Sequence, residues 1–188
     1  MPPLKKKQRE METTKKDGFT RVQRDSDGKY NLINANDKLL FDKWFECIGY
    51  FEDGLARVQR ESNGKFNLIT ANGKFLSKQW YEWIGDFLDG LALVQREREN
   101  PRFNYIDKDG KIISDEWFRW VDFFRDGIAR VQREDYSYNL IDKQGKILSN
   151  EWFEWIDFFN KDDLAVVYRT NGECCKIDKT GKIVGLSK

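Results

Sequence analysis

The chain has 188 residues, 35% of them charged and 15% aromatic, with a formal net charge of +1. This predicts an aromatic interior under a densely charged surface, and no apolar run is long enough for a transmembrane helix, so no membrane span is expected. With no histidine, His-based triads and His-containing zinc sites are excluded; the three cysteines, Cys47 and the adjacent Cys174 and Cys175, do not make a disulfide framework.

Residues 1–16 hold six Lys or Arg against two Glu and are expected to be a flexible basic tail. The run Lys5-Lys6-Lys7-Gln8-Arg9 could touch a polyanion, but it lacks interleaved aromatic residues, and nucleic acid is not the expected partner. The basic start has no apolar segment after it, so a secretory signal is not expected; with the odd cysteine count this points to the cytoplasm.

From residue 17 the chain repeats. Asp17-Gly18-Phe19-Thr20-Arg21-Val22-Gln23-Arg24 returns from Asp53, Asp89 and Asp126, and in decayed form from Asp162, at separations of 36, 36, 37 and 36 residues. The expected organisation is a repeat domain over 17–188, with units 17–52, 53–88, 89–125, 126–161 and a partial 162–188. A fixed period of this length marks an array built from one supersecondary element. The expected fold is all-β, tandem antiparallel β-meanders in an open array; a closed five-bladed propeller-like ring is the alternative.

The second unit shows the reasoning. Asp53-Gly54 is a turn, after which Leu55, Arg57 and Gln59 alternate with Ala56, Val58 and Arg60 across a strand. Ser62-Asn63-Gly64 is a hairpin turn and Lys65–Thr70 the return strand; Asn72-Gly73 then turns into a short third strand, Lys74–Ser77. Trp80, Tyr81, Trp83, Ile84, Phe87 and Leu88 have helical spacing but β-type composition. This segment is expected to be a helical turn or irregular bend that feeds a fourth short strand.

Gly54-Leu55-Ala56-Arg57-Val58, Lys65-Phe66-Asn67-Leu68-Ile69 and Gly73-Lys74 resemble the bacterial WG-repeat family, whose units run Gly-Leu-Ala-x-Val, Lys-Trp-Gly-x-Ile-Asp, Gly-Lys. The resemblance extends from residue 17 to about 184 and implies a β-rich repeat array, bacterial or phage-encoded, without specifying an activity. Where the family has Trp-Gly, this chain has Tyr30-Asn31, Phe66-Asn67, Phe103-Asn104 and Tyr138-Asn139. Asn tolerates positive φ, so a bulge or left-handed residue is expected there, with an Asn ladder on neighbouring backbone as the alternative.

Two rows could carry function. Arg24, Arg60, Arg96 and Arg133, with Arg169 as a fifth, either pair with repeated acids such as Glu82 or Asp86, or form a stripe that grips a polyanion or acidic peptide. Trp83, Trp120 and Trp155, replaced by Cys47 in the first unit, either fill the core between repeats or present platforms for a partner or a glycan. No catalytic residues, metal ligands or cofactor-binding residues are assigned and no cofactor is expected. The sequence reads as a non-catalytic protein-interaction or assembly module, with a carbohydrate- or cell-envelope-binding module as the alternative.

Overall fold

The structure, a computed structural model, describes residues 18–62 and 64–186. The expected tail at 1–16, Asp17 and the turn residue Asn63 lie outside them. The described residues divide between Ile84 and Gly85 into two compact units.

All regular structure among the described residues is β, and the strands are numbered in chain order. Each repeat contributes one antiparallel hairpin. In the first unit these are β1 (Thr20–Gln23) with β2 (Tyr30–Ile33) and β4 (Leu55–Gln59) with β5 (Phe66–Thr70). In the second unit they are β7 (Leu91–Gln95) with β8 (Phe103–Asp107), β10 (Ile128–Gln132) with β11 (Tyr138–Asp142), and β13 (Leu164–Tyr168) with β14 (Cys174–Asp178). Shorter pieces follow the aromatic segments: β3 (Cys47–Ile48), β9 (Trp120–Val121) and β12 (Trp155–Ile156), with β6 (Trp83–Leu88) running through the division. The first unit holds the sheet β3-β4-β5, the second β11-β10-β9 and β12-β13-β14-β15, where β15 spans Ile183–Leu186. These are small antiparallel sheets, none closed into a barrel, as an open tandem β-repeat array requires.

The Asp-Gly pairs turn as expected. Asp53 and Gly54 have φ of 49° and 79°, and Asp126 and Gly127 have 49° and 83°. Positive φ at both central residues matches the right-handed twist of the flanking strands. Glu52 and Leu55 close the first of these turns with reciprocal backbone hydrogen bonds of 2.8 and 3.0 Å.

Each strand pair buries one face. Ala56 and Val58 are buried opposite Ile69 and Asn67, and Ala129 and Val131 opposite Ile141 and Asn139. One aromatic residue per repeat plugs the gap: Phe45 and Tyr81 in the first unit, Phe118 and Phe153 in the second, all at most 2% exposed.

Of the two alternatives for the aromatic segment, the irregular bend feeding a fourth strand is the one observed, without a helical turn: Tyr81 bridges Phe66 through hydrogen bonds of 2.7 and 2.9 Å, the chain bends at Glu82, and strand resumes at Trp83. A bend between two inward residues three apart, Tyr81 and Ile84, reproduces helical spacing without a helix. The third strand shrinks to a bridge between Ile69 and Phe75.

The shortened third strand is one correction, and a second, at the Asn positions, explains it. Asn31, Asn67, Asn104 and Asn139 have no positive φ; they are extended strand residues, at most 1% exposed. Each turns its side chain to the following segment. Asn139 Nδ2 donates to the carbonyls of Ser149 and Glu151, both at 2.9 Å, while Oδ1 accepts from the N–H of Leu140 at 2.7 Å and of Ser149 at 3.2 Å. Asn104 holds Ser114 and Glu116 in the same way, and Asn67 holds Ser77 and Gln79. Two carbonyls drawn to one amide pull the chain out of the ladder, which ends the third strand and swings the aromatic segment across the sheet. The fifth repeat has buried Cys175 at this position, and there the strand runs on as β15, paired from Ile177↔Ile183 to Cys175↔Leu186. The Asn-ladder alternative describes these residues, with the bonds running to main chain further along.

Burial also sets a pH limit. Tyr105 is 5% exposed and donates its hydroxyl to the Asp122 carbonyl oxygen at 2.6 Å. Loss of hydration, with a smaller push from the Asp122 charge, holds its phenol well above the ordinary value of about 10. A folded-state pKa above the unfolded one means the contribution is complete below about pH 10 and is lost as pH rises further. Denaturant midpoints should therefore fall above about pH 10, and Tyr105→Phe should flatten that fall. An unchanged alkaline slope in the variant would exclude this tyrosine as its source.

Candidate functional site

The Arg row is stacked on the first Trp of each aromatic segment, a pairing the sequence reading missed. In the first unit the Arg24 guanidinium lies 4.8 Å from the centroid of Trp44, and Arg60 lies 4.6 Å from that of Trp80. In the second, Arg96 covers Trp117 at 5.1 Å and Arg133 covers Trp152 at 3.6 Å. The signal was present as a near-constant separation, 20, 20, 21 and 19 residues, between each Arg and its Trp.

Acids do pair with this row, but not the ones expected. Arg24 binds Asp27 within its own hairpin loop and holds that exposed carboxyl down at about 2, chiefly through the side-chain hydrogen bond. Arg133 takes Glu116 at 2.8 Å and Arg169 takes Glu151 at 2.9 Å, each acid lying just before a first Trp. Arg96 pairs with Glu97 at 2.8 Å. Glu82, one of the acids expected for Arg60, pairs with Lys65 at 3.5 Å. Stacked and largely neutralised, these guanidinium groups form a brace across each repeat more than an open stripe.

The second Trp of each segment is outside the core. Trp83 is 44% exposed, Trp120 38% and Trp155 41%. This corrects the core-filling reading: the aromatic residue between the two Trp, Phe118 or Phe153, faces inward, and the bend after it turns the second Trp outward. On the second unit these rings join a continuous face. Trp120 meets Tyr138 edge-on at 6.1 Å, and Tyr138 meets Trp155 at 5.1 Å. The Trp155 Nε1 hydrogen goes to Asp157 Oδ1 at 2.8 Å. Gln132 sits between Trp120 and Tyr138 in the ladder and donates to the Tyr136 carbonyl at 3.1 Å, which ties down its hairpin loop.

Arg130 organises this face from beneath. It is 9% exposed, with Nη2 2.8 Å from Asp122 Oδ2 and Nη1 donating to the Ile156 carbonyl at 2.9 Å. Its guanidinium lies 5.7 Å from the Trp120 centroid, 5.3 Å from Trp155 and 4.1 Å from Phe158. Phe123 and Phe158, 62% and 58% exposed, extend the face and were not singled out from sequence. Cys174 and Cys175 point to opposite sides of β14, and no group of His, Cys, Asp or Glu among the described residues could hold a metal ion. No helix among them is long and apolar enough to cross a membrane.

The fold and this face define an all-β tandem-repeat protein whose repeats present aromatic and guanidinium side chains at a fixed spacing. Residues 105–136 match the model of the WG containing repeat, and the shared register of the other hairpins carries the same pattern along the chain. Residues 105–136 thus carry a WG containing repeat. No curated protein matches the sequence. Among solved structures it is similar to the computationally designed Ika8 protein, at TM-score 0.36 and 14% identity over 88% of this chain and 57% of that one. It is also similar to BamB from Moraxella catarrhalis, at TM-score 0.35 and 10% identity over 92% and 61%. Streptogramin B lyase gives TM-score 0.32 and 15% identity over 95% and 71%. The chain thus spans less than two thirds of the length of the first two.

Proposed function

We propose that this chain is a non-catalytic protein-interaction or assembly module that takes a cytoplasmic protein partner. The supporting observation is the exposed aromatic face of the second unit, where Trp120, Trp155 and Phe158 converge on Arg130. Folded domains seldom leave several large aromatic rings together in water, and Trp, Tyr, Phe and Arg are the residues that dominate protein interfaces. A carbohydrate- or cell-envelope-binding role is the second reading, favoured by the exposure of Trp83, Trp120 and Trp155. The edge-on packing against Tyr138 and the guanidinium over the Trp120 and Trp155 rings favour a protein contact, because sugar platforms use flat, uncovered ring faces.

The test is affinity capture from nuclease-treated lysate with the full chain and with a Trp120→Ser/Trp155→Ser double variant. A partner held by the wild type should fall at least about tenfold on the variant, at similar melting temperature. Equal capture by both would remove this face from the interaction. Binding on a glycan array, lost in the same variant, would put the carbohydrate reading in its place.

A further inference from the structure

Beside this face lies a half-enclosed cavity of about 130 Å³, lined in part by Phe123, Ile128, Ala129, Arg130, Leu140 and Phe158. Ala129 and Leu140 are at most 2% exposed and belong to the hairpin core, while Phe123 and Phe158 stand at the mouth. The size is informative. An apolar cavity of about 150 Å³ takes one benzene ring, whereas cofactor and drug-like sites run to about 300–1,000 Å³. This one therefore has room for a single leucine or phenylalanine side chain and not for a nucleotide or an oligosaccharide.

The charges around it sharpen the choice. Asp122 is 2.8 Å from Arg130, and Lys179 is held between Asp126 at 3.0 Å and Asp163 at 2.7 Å. Asp157 accepts the Trp155 indole N–H. Arg125 differs from these. Its guanidinium stacks on the Phe158 ring at 5.0 Å, and among the described residues no carboxylate lies within ion-pair distance of it. It is exposed, and of the three cations lining the cavity it is the one without an ion pair among the described residues, whereas Asp157 accepts hydrogen bonds from Trp155 and Tyr168.

We infer that this cavity is the anchor pocket for one large apolar side chain of a protein segment that carries a carboxylate next to that side chain. The segment's Leu or Phe enters between Phe123 and Phe158, and its Asp or Glu meets Arg125. A buried anchor ringed by a polar contact is the arrangement that concentrates binding energy in protein interfaces. The inference rests on the interaction reading above and names the chemistry of the partner.

Phage-displayed random heptapeptides panned against the full chain supply the test. The enriched peptides should place Phe, Leu or Met beside Asp or Glu, and their affinity should fall at least about tenfold on Phe158→Ala. On Arg125→Glu the flanking preference should reverse to Lys or Arg. Both side chains are exposed, so melting temperatures should stay near wild type; if Phe158→Ala does not fold, the Arg125→Glu reversal decides alone. No enriched class, or equal binding by wild type and both variants, overturns the pocket. If panning fails while the Trp120/Trp155 variant still loses its captured partner, the pocket falls and the interaction reading stands.

Discussion

Asn139→Ala should cost about 3–5 kcal/mol and lower the melting temperature by about 10 °C. The side chain is fully buried and serves two carbonyls, of Ser149 and Glu151, and two N–H groups, of Leu140 and Ser149. Alanine leaves all four without that partner, and an unpaired buried backbone group costs about 1–3 kcal/mol before relaxation and water entry reduce the sum. Asn139→Asp should be at least as harmful, because a carboxylate oxygen would then face two carbonyl oxygens. The fifth repeat supplies the inverse test. Cys175→Asn would bury an amide in a sheet where β15 already occupies the ladder, so it should destabilise as well. Thermal and urea melts of the three variants check this. A loss below about 1 kcal/mol for Asn139→Ala would show that the amide is not what holds the aromatic segment.

Gly145→Ala should be far more damaging than Gly127→Ala, although the two glycines share nearly the same backbone conformation, with φ of 84° and 83°. At Gly127 an added Cβ meets nothing within 4 Å, so the cost is the left-handed conformation alone, about 1–2 kcal/mol. At Gly145 the same methyl would overlap the backbone carbonyl of Ile113, in the preceding repeat. Main chain cannot rotate away as a side chain can, which adds an overpacking cost and brings the expected loss to about 3–4 kcal/mol. Gly181 stands in the same relation to Leu148, one repeat on. Gly145 and Gly181, each in a Gly-Lys turn, are thus contact points between consecutive repeats, while Gly127 of Asp-Gly is a turn residue only. Equal melting temperatures for the two alanine variants would refute the distinction.

The exposed aromatic face follows the same logic of neighbours. From sequence, the Trp-aromatic-x-Trp segment and the Val-Gln-Arg strand end were visible as recurrent rows, and Trp120, Trp155 and Arg133 were singled out for that reason. The spacing did not say which ring of Trp152-Phe153-Glu154-Trp155 points inward. Phe153 does so because its backbone bridges Tyr138, and the bend at Glu154 sends Trp155 out. Arg130, Phe123 and Phe158, which shape the cavity, are not conspicuous in the sequence. Arg21 and Arg57 stand at the Arg130 position, and Tyr50, Phe123 and Phe158 share another, but Leu93 and Asp86 interrupt these two rows, which stand out less than the more regular Trp and Val-Gln-Arg patterns.

The sequence by itself determined the repeat, the all-β class, the Asp-Gly turns and the pairing of the hairpin strands. These depend on residues close in the chain: alternation sets a strand's two faces, and a two-residue turn with positive φ fixes the register that follows. The tertiary structure alone decided the role of Asn, the partner of each Arg and the side on which each Trp lies. Asn139 acts on carbonyls 10 and 12 residues away, and Arg133 reaches Glu116 17 residues back and Trp152 19 residues ahead. Contacts at that separation exist only once one segment has been laid across another. Until then an Asn in a strand reads as a turn residue, and a Trp at regular spacing reads as core.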